Sequence, residues 1–135
     1  MDSMVAMRLD ITLATAGALG LVYLVLSARV IQGRFQHQVS LGDGGKQEML
    51  ARIRTHGNFS EYVPFVLILL GLLELSGANR TVLAMAGGSL VAFRILHAIG
   101  IPRKAPNPFR FLGVIGTFLL LLGGSVWALI IAFGQ

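Results

Sequence analysis

Arg54, Asn58 and Glu61 stand four and then three residues apart, so on a helix they form one stripe facing a single neighbour. A guanidinium, an amide and a carboxylate on one stripe are recognition chemistry. Guanidinium forks match carboxylates with paired hydrogen bonds, and a lone carboxylate receives an ammonium group. Pro64 follows Glu61 by three residues and cannot donate to the carbonyl of Ser60, which predicts a kinked or loosened helix beside Glu61. Arg94 and His97, at i and i+3, share a face of a second segment, and Arg110 opens a third. Brought to one layer, these six residues would suit a small anionic or zwitterionic ligand. Plainer readings stand beside this one: an internal ion pair of Glu61 with Arg54 or Arg94, and a satisfied core histidine at position 97.

The elements that must carry these groups are set by the apolar runs. Ile11 to Ala28 is uncharged until Arg29, and Phe111 to Gln135 holds no ionisable side chain. A hydrocarbon core of about 30 Å needs roughly 20 helical residues. The run Tyr62 to Leu73 spans only if its helix begins near Lys46, and Thr81 to Phe93 spans only by taking Arg94 and His97 into the membrane. The pattern predicts transmembrane helices near 9–33, 46–75, 80–101 and 109–134, an all-α integral membrane four-helix bundle in one domain. A charge near the bilayer centre costs at least about 2.5 kcal/mol and needs a partner. The placement of Arg54, Glu61, Arg94, His97 and Arg110 at one level is therefore the informative feature.

Composition agrees with a lipid environment. Of 135 residues, 55% are hydrophobic and 13% charged, where a soluble domain carries roughly 25% charged. The chain has no cysteine, which excludes zinc–thiolate sites, iron–sulfur clusters, protein thiol nucleophiles and disulfides. Histidines scattered at 37, 56 and 97 without a carboxylate cluster predict no metal site. Gly42 to Gly45 lacks the strand, spacing and following hydroxyl of a phosphate-binding loop, and no nucleophile elbow is present. The net charge of +5 follows membrane topology and not nucleic acid. Arg29, Arg34, Lys46, Arg52, Arg54, Arg103, Lys104 and Arg110 fall on one side and only Arg8 and Arg80 on the other, placing both termini outside and the basic loops in the cytoplasm. Arg8 is offset by Asp2 and Asp10 and no small-residue cleavage site follows, so the first helix is expected to be retained. Small residues at four-residue steps, Ala16 and Gly20, then Ala84, Gly88 and Ala92, predict close helix approach within or between chains.

The stretch from Arg52 to Pro64, with its Arg54, Asn58, Glu61 and Pro64 at the start of a second membrane helix, closely resembles the MAPEG family, the membrane-associated proteins in eicosanoid and glutathione metabolism. The Gly42-Asp43-Gly44-Gly45 loop just before it is similar to the small bacterial branch. The resemblance covers essentially the whole chain. It implies a homotrimer in the bacterial inner membrane, with glutathione as co-substrate bound between subunits on the cytoplasmic side. It further implies that Glu61 holds the glutathione amine, that Arg54 and Arg94 hold its carboxylates with Asn58 and His97 in the same site, and that Arg110 stabilises the thiolate. An arginine from the end of helix 1, Arg29 or Arg34, is a further candidate. Ile101, Gly57 and Phe111 depart from residues that other members carry there, a tyrosine, an arginine and a serine. The expected activity is transfer of glutathione to a lipophilic electrophile or reduction of a hydroperoxide. The alternatives are a catalytically silent binding or scaffold protein of the same fold and a small transporter or channel. The apolar outer halves of helices 2 and 4 count against the transporter.

Overall fold

The computed structural model describes residues 8–101 and 107–134, so the expected topology signals Arg103 and Lys104, like Asp2, lie outside the described residues. Four helices follow in order: α1 (Asp10–His37), α2 (Gln47–Leu75), α3 (Arg80–Gly100) and α4 (Pro108–Phe133). Each is long and apolar enough to cross a membrane, and the protein is an all-α, multi-pass membrane protein. α1 runs four residues beyond the expected Gly33, because its polar last turns are held from the side. Arg52 of α2 donates to the Arg29 carbonyl at 2.8 Å and to the side chains of Gln32 and Gln36, and then to Glu48 of its own helix at 2.9 Å. Arg52, expected as a topology signal, is thus a clasp between α1 and α2. α2 continues through Pro64 without interruption, with the proline ring on an exposed face.

The helix starts show why the boundaries fall where they do. The Asn79 side chain accepts from the Val82 N–H and opens α3. The Asn107 side chain accepts from the Arg110 N–H at 2.8 Å and opens α4, with Pro108 at the first position, where a missing N–H loses no helical bond. α1 has no such cap of its own at Leu9. Its free N–H groups are met by Glu74, 63 residues away near the end of α2. The Glu74 carboxylate accepts from the Ile11 N–H at 2.9 Å, from the Thr12 N–H at 2.8 Å and from the Thr12 hydroxyl at 2.7 Å. Arg80 at the start of α3 donates to Glu74 at 3.3 Å and to both oxygens of Asp10 at 2.7 Å. One buried carboxylate therefore ties the α2–α3 end of the bundle to the positive pole of α1.

Packing is inverted relative to a soluble bundle. Leu19, Leu26, Phe59, Val63, Val66 and Leu90 form one buried cluster, and Leu70, Leu73 and Leu83 a second. Large apolar side chains such as Leu21, Leu24, Ile68, Met85, Leu119 and Ile130 are exposed, as the lipid-facing surface of a membrane bundle is. α3 and α4 touch most closely through glycine: a Cβ at Gly113 would lie 2.8 Å from the His97 backbone nitrogen, and one at Gly100 would overlap the backbone of Arg110. The small-residue stripes expected from the sequence do not make these contacts. Gly20 and Gly88 face open space within the protomer, and α3 meets α1 at the adjacent Gly87, against Thr15.

Candidate functional site

At the α1–α2 end of the bundle the six candidate residues divide into an enclosed set and an exposed set. Arg94 and His97 are enclosed, with 2% and 1% of their surfaces exposed. Arg94 donates from Nη2 to Asn58 Oδ1 at 2.7 Å, places the same nitrogen 3.4 Å from His97 Nδ1, and donates from Nη1 to Thr117 Oγ1 at 3.4 Å. Thr117, wholly buried on α4, donates onward to the Gly113 carbonyl at 2.7 Å. The guanidinium carbon also stands 5.8 Å from the centre of the Phe59 ring, a cation–π contact that softens the cost of burying the charge. Among the described residues no carboxylate pairs with Arg94. The network thus joins α2, α3 and α4, and Gly113 permits it by letting α4 lie against the backbone of His97.

Arg54 and Glu61 form the exposed set on α2. Their side chains are 55% and 53% exposed, and Arg54 Nη1 lies 3.8 Å from Glu61 Oε1, an ion pair too long to be a hydrogen bond. Of the two partners open to Glu61 on sequence grounds, the structure gives it Arg54. The pair spans two helical turns, from i to i+7, across the face that carries Gly57. A Cβ there would stand 3.7 Å from Arg54 Nη1 and 3.8 Å from Glu61 Oε1. Both charges keep hydrogen-bonding capacity for another molecule.

Arg110 is exposed at the first turn of α4. Its backbone N–H is capped by Asn107, and its guanidinium makes no hydrogen bond or ion pair among the described residues. The charges of Arg94, Arg110 and Arg54 all act on the His97 imidazole, so the three arginines share one neighbourhood. Phe111 beside Arg110 is exposed, and Ile101 follows the end of α3 with its N–H donating to the His97 carbonyl. Arg34 is committed elsewhere, donating to the Val39 and Gly42 carbonyls of the loop. Arg29 lines a cavity of about 200 Å³ between α1 and α2, with Leu26, Glu48 and Arg52 among its walls.

Sequence reasoning missed Thr117, Phe59 and Glu74. Thr117 lies in an apolar-looking stretch, and Phe59 stands between the polar Asn58 and Ser60 with nothing to mark it as a cation's neighbour. The one signal for Glu74 was a carboxylate closing an otherwise uncharged run, Tyr62 to Leu73.

A bundle of four membrane-crossing helices, three of which carry arginines toward one end, defines a multi-pass membrane protein with a cationic layer. The MAPEG family profile matches residues 12–130, and the chain belongs to that family. It is 33% identical over 110 residues, 79% of this chain and 83% of the relative, to the inner membrane protein YecN of Escherichia coli strain K12, and equally to YecN of Escherichia coli O6:H1 strain CFT073. No solved structure matches the chain.

Proposed function

We propose that the protein is a glutathione-dependent transferase or peroxidase of lipophilic substrates, acting as a homotrimer in the inner membrane with the arginine layer toward the cytoplasm. The observation that carries this reading is the exposed, loosely paired Arg54 and Glu61 together with Arg110, whose guanidinium has no partner among the described residues. Glutathione bears two carboxylates, one ammonium and a thiol. Arg54 receives a carboxylate, Glu61 the ammonium, and Arg110 the sulfur, each exchanging water or a 3.8 Å partner for a charge-assisted hydrogen bond. Arg94 acts from behind, through Asn58.

A thiol has a reference pKa near 8.5, and a fixed guanidinium beside it favours the thiolate. The thiolate attacks an electrophilic carbon. The new C–S bond forms as the leaving group departs with its electron pair, or as a proton is taken up when the acceptor is an activated alkene. With a hydroperoxide, the thiolate attacks the O–O bond, an alcohol leaves, and a second glutathione converts the sulfenic acid to the disulfide and water. Proximity in the membrane and electrostatic stabilisation at Arg110 supply the rate.

A second reading, a silent scaffold of the same fold, is favoured by one observation: Arg94, Asn58, His97 and Thr117 satisfy one another inside the protomer. A thermal-shift titration of the purified protein with glutathione and S-alkyl glutathiones separates the two. A ligand at about 100 times its Kd stabilises the folded state by about 2.7 kcal/mol. The enzyme reading expects that shift in the parent and its reduction in Arg110→Ala. A parent indifferent to every glutathione derivative leaves the scaffold.

A further inference from the structure

We infer that Arg94 sets the hydrogen-bond polarity of Asn58 and His97: by donating to the Asn58 oxygen and to His97 Nδ1, it leaves the Asn58 NH2 and the His97 Nε2–H as the ends turned away from it. These two residues are thereby tuned to anionic acceptor atoms, carboxylate or thiolate, and an ammonium is left to Glu61. This rests on the glutathione reading for the identity of the ligand, but its geometry does not.

The argument follows from what each group is able to do. An amide is ambivalent, with an acceptor oxygen at one end and a donor NH2 at the other, and a neutral imidazole carries its proton on either nitrogen. A guanidinium is not ambivalent, since all five of its hydrogens donate and it accepts nothing. With Arg94 Nη2 at 2.7 Å, the Asn58 oxygen is the end turned toward it, and the free end of the amide is the NH2. The same nitrogen lies 3.4 Å from His97 Nδ1, which must then be the bare nitrogen, leaving the proton on Nε2. The direction is enforced from the far side as well. The Thr117 hydroxyl gives its proton to the Gly113 carbonyl at 2.7 Å, so only its lone pairs face Arg94. Turning the amide over would set donor against donor beside a guanidinium that is 2% exposed, where water cannot compensate. Arg94 is therefore a positioning residue: it holds Asn58 and His97 in donor orientation, and its own charge stays inside.

Asn58→Asp tests this, because a carboxylate at 58 still accepts from Arg94 while presenting an oxygen where the NH2 stood. The full-length protein in detergent is expected to melt at or above the parent temperature, with its Kd for glutathione raised at least tenfold in the thermal-shift titration. Binding within twofold of the parent, or a melting temperature well below it, overturns the assignment. The second measurement needs no ligand. Nitrogen NMR of histidine-labelled protein, with His97 identified by its loss in His97→Gln, is expected to show the Nε2–H tautomer, and an Nδ1–H signal overturns the inference. A parent that fails to respond to glutathione refutes the enzyme reading, and the tautomer then decides the role of Arg94 alone.

Discussion

Removing the Glu74 carboxylate should loosen the whole α2–α3 end. Glu74→Ala leaves the Ile11 and Thr12 N–H groups and the Thr12 hydroxyl without their acceptor, and takes from Arg80 one of its two carboxylates. Hydrogen bonds to a charged group contribute about 1.5–3 kcal/mol each, and loss of one partner from a buried charged cluster costs about 3–5 kcal/mol in total, because water refills part of the gap. The Glu74 side chain is 0% exposed, which places the loss in that range. With an unfolding entropy of about 2.1 cal/mol/K per residue, a loss of about 4 kcal/mol in a chain of this length lowers the melting temperature by on the order of 14 °C. Glu74→Gln should fall between, at about 2 kcal/mol, since its amide oxygen still serves Thr12 while its NH2 confronts the Ile11 N–H. The assay is thermal unfolding in detergent followed by the single tryptophan, Trp127, which packs against the Leu70, Leu73 and Leu83 cluster. If Glu74→Ala melts within about 2 °C of the parent, the tertiary cap is not a source of stability and the reasoning fails.

Gly113→Ala should be among the most damaging single-methyl additions in the protein, because its Cβ meets the His97 backbone rather than a movable side chain; a loss of about 3 kcal/mol is expected in the same melt. Arg54→Ala and Glu61→Gln should each change stability by no more than about 0.5 kcal/mol, given an exposed 3.8 Å pair, while abolishing the glutathione-dependent shift. Arg52→Ala should lose about 2 kcal/mol through the Arg29 carbonyl and the buried stem of the side chain, with protease sensitivity appearing in the last turns of α1.

The four spans were legible because uncharged runs of membrane length leave little choice of element, and the Arg54, Asn58 and Glu61 stripe was legible because helical spacing puts these residues on one face. Which of the charges would be enclosed was not. Arg94 and Arg110 have the same chemistry in a one-dimensional reading, yet one sits behind Phe59, Thr117 and Asn58 and the other at a helix start in the open. The distinction depends on Gly113 drawing α4 against His97, a contact between residues 16 apart that no periodicity encodes. Glu74 illustrates the same limit. Ile11 and Thr12, which it caps, lie more than 60 residues away, and an acidic side chain beside the negative pole of its own helix is unfavourable until the start of α1 arrives beside it. The last turn of α1, beyond the expected end at residue 33, was missed because Gln36 looks like a loop residue until Arg52 is seen to hold it.

The exposed Arg54–Glu61 couple on α2 has an electrical consequence. Paired at 3.8 Å, Arg54 and Glu61 largely cancel one another at rest, so the protein carries these two charges as a dipole and not as two ions. A visitor with both signs of charge separates the couple and restores neutrality by supplying each half with a new mate. A visitor with only one sign strands the other. Discrimination of this kind resides in the cost of parting, and it would survive even if the surrounding pocket were loose in shape.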